Sequence, residues 1–178
     1  MNQRRILLFV LATFLVFLGE ACFAASLNDF PKMFVKDGVA KVTFVLGKRA
    51  MIYDGIAAAI ILSSLQQYFS KNNIYFLYNF LLDFDVDSID NMSAIIIGGS
   101  CANTVTAMIY DYPLNCAQPF KPGKGKIRLI SDRIILVAGF YWKDTLNAAY
   151  ALSNWQKQDF PSNEVEVEEE TIPFLLIS

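Results

Sequence analysis

The chain predicts an α/β fold, a Rossmann-like or flavodoxin-like three-layer sandwich with a mostly parallel sheet flanked by helices. Three observations carry that expectation. A unit of apolar strand, terminal glycine and helix recurs three times along the chain. The strands of these units are apolar runs without polar alternation, which is how strands covered on both faces read. An Asp or Asn that can cap a helix N-terminus stands near the start of each helix, at Asp54, Asn103 and Asp144.

The first unit runs through Val42-Thr43-Phe44-Val45-Leu46-Gly47 and predicts a helix over about 54–69. The stretch from Ile74 to Phe84 is dense in aromatics; its periodicity does not separate strand from helix, and its aromatic content favours a strand. The second unit is Ala94-Ile95-Ile96-Ile97-Gly98-Gly99, with a helix over about 103–110. Pro119, Pro122, Gly123 and Gly125 mark a loop leading into a further strand, Lys126-Ile127-Arg128-Leu129-Ile130. The third unit is Ile134-Ile135-Leu136-Val137-Ala138-Gly139, with a helix over about 144–155. Thr145, Ala148, Ala149, Leu152 and Trp155 fall at helical spacing there and give that helix one face to lay on the sheet. Glu164-Val165-Glu166-Val167-Glu168 alternates with period two, the pattern of an edge strand with one solvated face.

The N-terminus reads as an export signal. Arg4 and Arg5 precede an apolar run from Ile6 to Leu18, followed by small residues at Ala21, Ala24 and Ala25. Residues 1–25 are therefore expected to be a secretory signal peptide, with Cys22 discarded in it, and residues 26–178 a single α/β domain. An uncleaved N-terminal anchor is the alternative on length grounds, and the apolar stretch Ile172 to Ile177 is far below spanning length. Losing Arg4, Arg5 and Glu20 from 15 basic and 17 acidic residues leaves a mildly acidic domain, with no basic balance inviting nucleic acid. The expected location is extracellular.

The chemistry of the domain is sparse. Two cysteines remain after the signal, Cys101 and Cys116, in a compartment where disulfides persist, and their pairing is the favoured reading. The competing one is a nucleophilic thiol at Cys101, following a glycine turn and opening a helix. The chain has no histidine, so the usual base for a cysteine or serine nucleophile and the commonest zinc ligand are missing. The three glycine loops would gather at the carboxyl ends of the parallel strands, where such sheets bind ligands. Yet Gly98-Gly99-Ser100-Cys101-Ala102-Asn103 is not the dinucleotide fingerprint, and Gly123-Lys124-Gly125-Lys126 lacks the spacing and hydroxyl of a P-loop. Asp83, Asp85, Asp87 and Asp90 lie close enough for calcium to be considered, against the plainer reading of a solvated acidic loop. No other cofactor is expected. Asn91-Met92-Ser93 is an N-glycosylation sequon placed just before a buried strand.

Several stretches together resemble archaeal surface-layer (S-layer) proteins. The opening Leu27-Asn28-Asp29-Phe30-Pro31-Lys32-Met33-Phe34-Val35-Lys36-Asp37-Gly38 is similar to the start of the mature region in that family. The strand into Gly47, then Asp54 and an alanine-rich helix, continue the likeness. It resumes at Ile97-Gly98-Gly99-Ser100-Cys101-Ala102-Asn103-Thr104-Val105-Thr106-Ala107, Asn115-Cys116, Gly123-Lys124-Gly125, and Val137-Ala138-Gly139 before Asp144-Thr145. The chain would be a short member lacking the usual middle region, since Phe69 passes to Asp85 almost directly. The resemblance implies a structural constituent or accessory of a cell-surface coat with no enzymatic activity, partnered by other subunits or by itself, and it supports a structural cysteine pair. Such a coat needs lateral contacts, for which exposed aromatics are good anchors; Tyr112, Tyr141 and Trp142 are the candidates. The alternative is a secreted module binding a cell-envelope glycan or another ligand at the glycine-loop crevice, with Tyr141 and Trp142 stacking on sugars.

Overall fold

The computed structural model describes residues 25–168. Residues 1–24, on which the expected signal peptide and Cys22 fall, and the apolar stretch from Ile172 to Ile177 lie outside the described residues. Seven strands form one sheet: β1 (Val35–Lys36), β2 (Val39–Leu46), β3 (Tyr75–Leu82), β4 (Ala94–Ile97), β5 (Lys124–Ser131), β6 (Ile134–Gly139) and β7 (Glu164–Glu168). Among the described residues three α-helices accompany them: α1 (Ile52–Lys71), α2 (Thr104–Ile109) and α3 (Trp142–Ser153). The spatial order is β3, β2, β4, β6, β5, β7, and the short β1 lies beside the start of β2 on the side away from β3.

The three repeated units form the middle of this sheet. β2, β4 and β6 are neighbours, all parallel, with Thr43 opposite Ala94 and Ala94 opposite Ile134. Their apolar runs alternate between two cores. Ala40, Val42, Phe44, Ile95, Ile97, Ile135 and Val137 meet Ile61, Leu65 and Phe69 of α1 and Ala148, Ala149 and Leu152 of α3. Val45, Ala94, Ile96, Leu136 and Ala138 face the other way, onto Val105 of α2 and Phe120 of a loop. Burial on both sides is why β4 and β6 carry no polar alternation, whereas the first half of β2 alternates, with Lys41 exposed between the buried Ala40 and Val42.

The expectation of a Rossmann-like or flavodoxin-like three-layer sandwich is overturned. The sheet is mixed and curls as a half-barrel, with few helices. Three of its pairings are antiparallel, β1 with β2, β5 with β6 and β5 with β7. The second face carries the six-residue α2 and loops where a sandwich would place a full helical layer. The physical reason lies in short connections. Parallel neighbours need a crossover of a dozen or more residues, whereas β5 returns to β6 through Asp132-Arg133 and β1 to β2 through Asp37-Gly38. Both residues of the latter turn have positive φ, at 52° and 78°, as tight hairpin turns demand.

Two glycines set the height of α3 above the sheet. A Cβ on Gly139 would come within 2.4 Å of the Asp144 Cβ, and one on Gly125 within 2.4 Å of the Asp144 carbonyl oxygen. The helix therefore rests almost on the backbone of β5 and β6. Helix starts also differ from expectation in an instructive way. Asn103 does cap α2, its Oδ1 accepting from the Val105 and Thr106 amides. Asp54 and Asp144 sit inside the first turns of α1 and α3, where their carboxylates accept from the Met51 and Tyr141 backbone amides at 2.9 Å each.

Candidate functional site

Two regions offer surfaces that a function can use: the glycine-loop end of the parallel strands and the free edge at β3.

At the glycine-loop end, the loops after β2, β4 and β6 converge, and the molecule has tied them down. Cys101 and Cys116 form a disulfide across a separation of 15 residues. Beside it the Ser100 hydroxyl donates to the Cys116 carbonyl at 2.7 Å. Asn103 is fully buried and works in four directions: its Nδ2 donates to the carbonyls of Val45 and Ile97 while its Oδ1 caps α2. Thr106 donates from its hydroxyl to the Gly98 carbonyl at 2.8 Å. With its thiol consumed in the bridge, Cys101 has no nucleophile to offer. Replacing both cysteines by serine is expected to lower the unfolding free energy by about 3 kcal/mol, read as a shift of the urea midpoint.

The crevice that remains is small. A cavity of about 140 Å³ lies among Asp54, Gly99, Ser100, Phe120, Trp142 and Thr145. Burial pushes the Asp54 carboxyl above its ordinary range, against the smaller opposing pull of the Met51 amide. Trp142 is stacked on Tyr53 of α1 with ring centroids 3.7 Å apart, so it belongs to the contact between α1 and α3. Tyr141 stands exposed at the rim. Tyr112 is also exposed, in a left-handed turn after α2, and does not line this cavity. Trp155, at the end of the α3 segment, packs edge-on against Phe30 and Tyr68.

The aspartates considered for calcium do not act together. Asp83 turns inward, accepting from the Lys48 amide at 2.7 Å, the Thr104 amide at 2.7 Å and the Thr104 hydroxyl at 2.8 Å. Asp85, Asp87 and Asp90 are exposed, and among the described residues no group of three or more acidic, cysteine or histidine side chains is placed to hold a metal ion. The sequon residue Asn91 lies exposed in a left-handed turn before β4, where a glycan would meet solvent.

The β3 edge is the feature that residue-by-residue reading missed. β3 pairs with β2 along all eight residues, and among the described residues nothing pairs with its other side. Tyr75, Leu77, Tyr78, Phe80, Leu82 and the following Phe84 are all exposed. Phe76, Tyr78 and Phe80 form a row along the helix-side face, with centroids 5.6 and 6.3 Å apart, and Phe80 stacks on the buried Phe44. A signal was present in the sequence: from Gly55 to Leu82 the only charged side chain is Lys71. The opposite edge differs completely. There Glu164, Glu166 and Glu168 of β7 pair with Lys126 and Arg128, with Lys121, and with Lys124.

Comparison with known proteins adds little to this geometry. No family model and no curated protein matches the chain. Among solved structures it is similar to that of CpGH84D, with a TM-score of 0.44 and 12% identity over 72% of this chain. The matched part spans 20% of that protein's length, and a likeness of that size supports no statement about fold or activity. No helix among the described residues is long and apolar enough to cross a membrane.

Proposed function

We propose that this chain is a non-enzymatic structural constituent or accessory of a cell-surface coat of the archaeal S-layer kind. The observation that supports the reading is the charge-free aromatic edge formed by β3. Contiguous exposed apolar surface of several hundred Å² marks an interaction site on a folded protein, and a long edge strand without charges or proline is the form of edge that pairs with another chain. The disulfide and the Asn103 and Thr106 hydrogen bonds fit the same role, since they brace the loop end against deformation. The motif resemblance along the chain points the same way, and the disulfide suits an oxidising extracellular setting.

Negative-stain microscopy of the purified mature chain, with and without millimolar calcium, tests the proposal alongside its mass in solution. Ordered sheets or incorporation into an existing coat are the expected result. A monodisperse monomer under every condition, with no uptake into coats, would overturn it.

The second reading, a secreted module binding an envelope glycan, draws on the exposed Tyr141 ring beside the crevice. At about 140 Å³ the cavity is well below the ~300 Å³ at which small-molecule pockets begin, so such a ligand would have to stack on the rim. Loss of glycan retention in Tyr141→Ala on an envelope-polysaccharide column is the result that would favour it.

A further inference from the structure

From the β3 edge we infer that the occupant is a second copy of this chain, paired antiparallel β3 to β3 about a twofold axis perpendicular to the sheet and centred near Asn79. The inference rests on the coat reading and gives that reading its first contact.

Four features support a second copy. The strand is uncharged from Tyr75 to Leu82, so an antiparallel partner of the same sequence brings no like charges together, the usual penalty for self-pairing. With Asn79 opposite its own copy, Tyr78 falls opposite Phe80 and Leu77 opposite Leu81, and a twofold of this kind keeps each pair on one face of the joined sheet. Tyr78 and Phe80 are 47% and 46% exposed, half-covered by their own fold and open on the side a partner would take. Asn79 accepts from the Thr43 hydroxyl at 2.7 Å, which leaves its amide hydrogens free to meet the same group across the axis.

Area decides between a stable pair and a passing contact. The exposed parts of Tyr75, Leu77, Tyr78, Phe80, Leu82 and Phe84 amount to roughly 600 Å², taking about 150–250 Å² for a whole aromatic side chain. A standard interface covers about 800 Å² on each partner. The strand supplies most of that. Pairing also satisfies the outward backbone amides and carbonyls of β3 in one step, and extends the sheet from seven strands to fourteen. The β7 edge is unsuited to the same role, because its glutamates would stand opposite their own copies.

The test uses the full mature chain. Sedimentation equilibrium is expected to give a dimer for the wild type and a monomer for Tyr78→Lys with Leu77→Lys, with circular dichroism unchanged. Asn79→Cys, an exposed position that leaves the fold intact, is expected to form an intermolecular disulfide in air, whereas Tyr75→Cys, far from the axis, is not. A wild-type monomer at high micromolar concentration overturns the inference. So does a dimer that survives the lysine pair or fails to cross-link at Asn79. Loss of the dimer on removing residues 169–178, with the lysine pair without effect, would assign the contact to that segment. Ordered sheets that persist in the lysine variant would sink the pairing and leave the coat reading standing; a β3 dimer that forms but never enters an ordered sheet would do the reverse.

Discussion

Gly47→Ala is expected to destabilise the fold by about 3 kcal/mol or more, at the upper end of what overpacking costs. Gly47 ends β2, and a Cβ there would lie 2.0 Å from the Ala102 carbonyl oxygen and 2.5 Å from its carbon. Those are backbone atoms, so no side-chain rotation relieves the clash. The Ala102 segment cannot easily retreat, because Cys101 is held by the disulfide and Asn103 by its buried hydrogen bonds to Val45 and Ile97. The Arg49 amide also donates to the same Ala102 carbonyl, so moving it breaks a contact of the β2–α1 loop. Gly55→Ala is the matched control. Gly55 lies exposed in α1 with open space at its Cβ position, and alanine there is expected to stabilise by up to about 1 kcal/mol through helix propensity. Urea midpoints at unchanged slope separate the two; equal midpoints would show that the loop end has room the geometry denies.

The same region shows what the sequence made legible. The three strand-glycine-helix units could be found because burial on both faces leaves an apolar run, and β2, β4 and β6 do lie side by side and parallel. The alternating glutamates of β7 announced an edge, and the ion pairs to β5 and to the preceding Lys121 lie on the expected solvated face. What failed was the step from three parallel units to a whole sandwich. Strand direction in β5 and β1 is set by two-residue turns, and apolar runs carry no information on direction. Asp37-Gly38 was the one available signal for the first hairpin. The edge at β3 was missed for a related reason: aromatic density was weighed as strand propensity, while the near-absence of charge from Gly55 to Leu82, with Lys71 alone charged, bears on exposure and assembly and is visible only over a longer window. Of the aromatics singled out, Tyr112 and Tyr141 are exposed and Trp142 packs on Tyr53; a patch needs neighbours, and only the fold shows which residues share an edge. Asp83 looked like one of a run of aspartates because spacing along the chain cannot tell an inward carboxylate from three outward ones.

That inward turn makes Asp83 the second position of large effect. It is 3% exposed and ties β3's end to two distant loops, through Lys48 and through Thr104 at the start of α2. Burial by itself would raise its pKa, but the Thr104 amide and hydroxyl, then the Lys48 and Phe84 amides, outweigh it and hold the carboxyl below its usual range. Asp83→Ala removes the acceptor from all three hydrogen-bond donors on Lys48 and Thr104, and is expected to cost about 4 kcal/mol, given about 1–3 kcal/mol for each donor left unsatisfied and partial rescue by water. Asp83→Asn should cost less, yet still substantially, because one acceptor oxygen becomes an NH₂ facing other donors. The pH dependence then follows in sign. A carboxylate whose folded pKa is depressed contributes stability in full above its unfolded pKa of about 3.9, and loses it as pH falls through the folded value. The wild type is therefore expected to lose its advantage over Asp83→Asn as the pH drops below about 4, with the two curves converging in acid. Asp54 runs the other way. Its carboxyl is raised by burial, so its contribution is full below the unfolded pKa and is lost as pH rises through the folded one. Asp54→Asn keeps an acceptor for the Met51 amide without a buried charge, and is expected to match or exceed wild-type stability near neutrality. Guanidinium titrations of the wild type and the three variants from pH 3 to pH 8 provide the check. Parallel curves for wild type and Asp83→Asn across the acid range would mean that the Thr104 and Lys48 contacts do not hold the carboxylate in the ionised form.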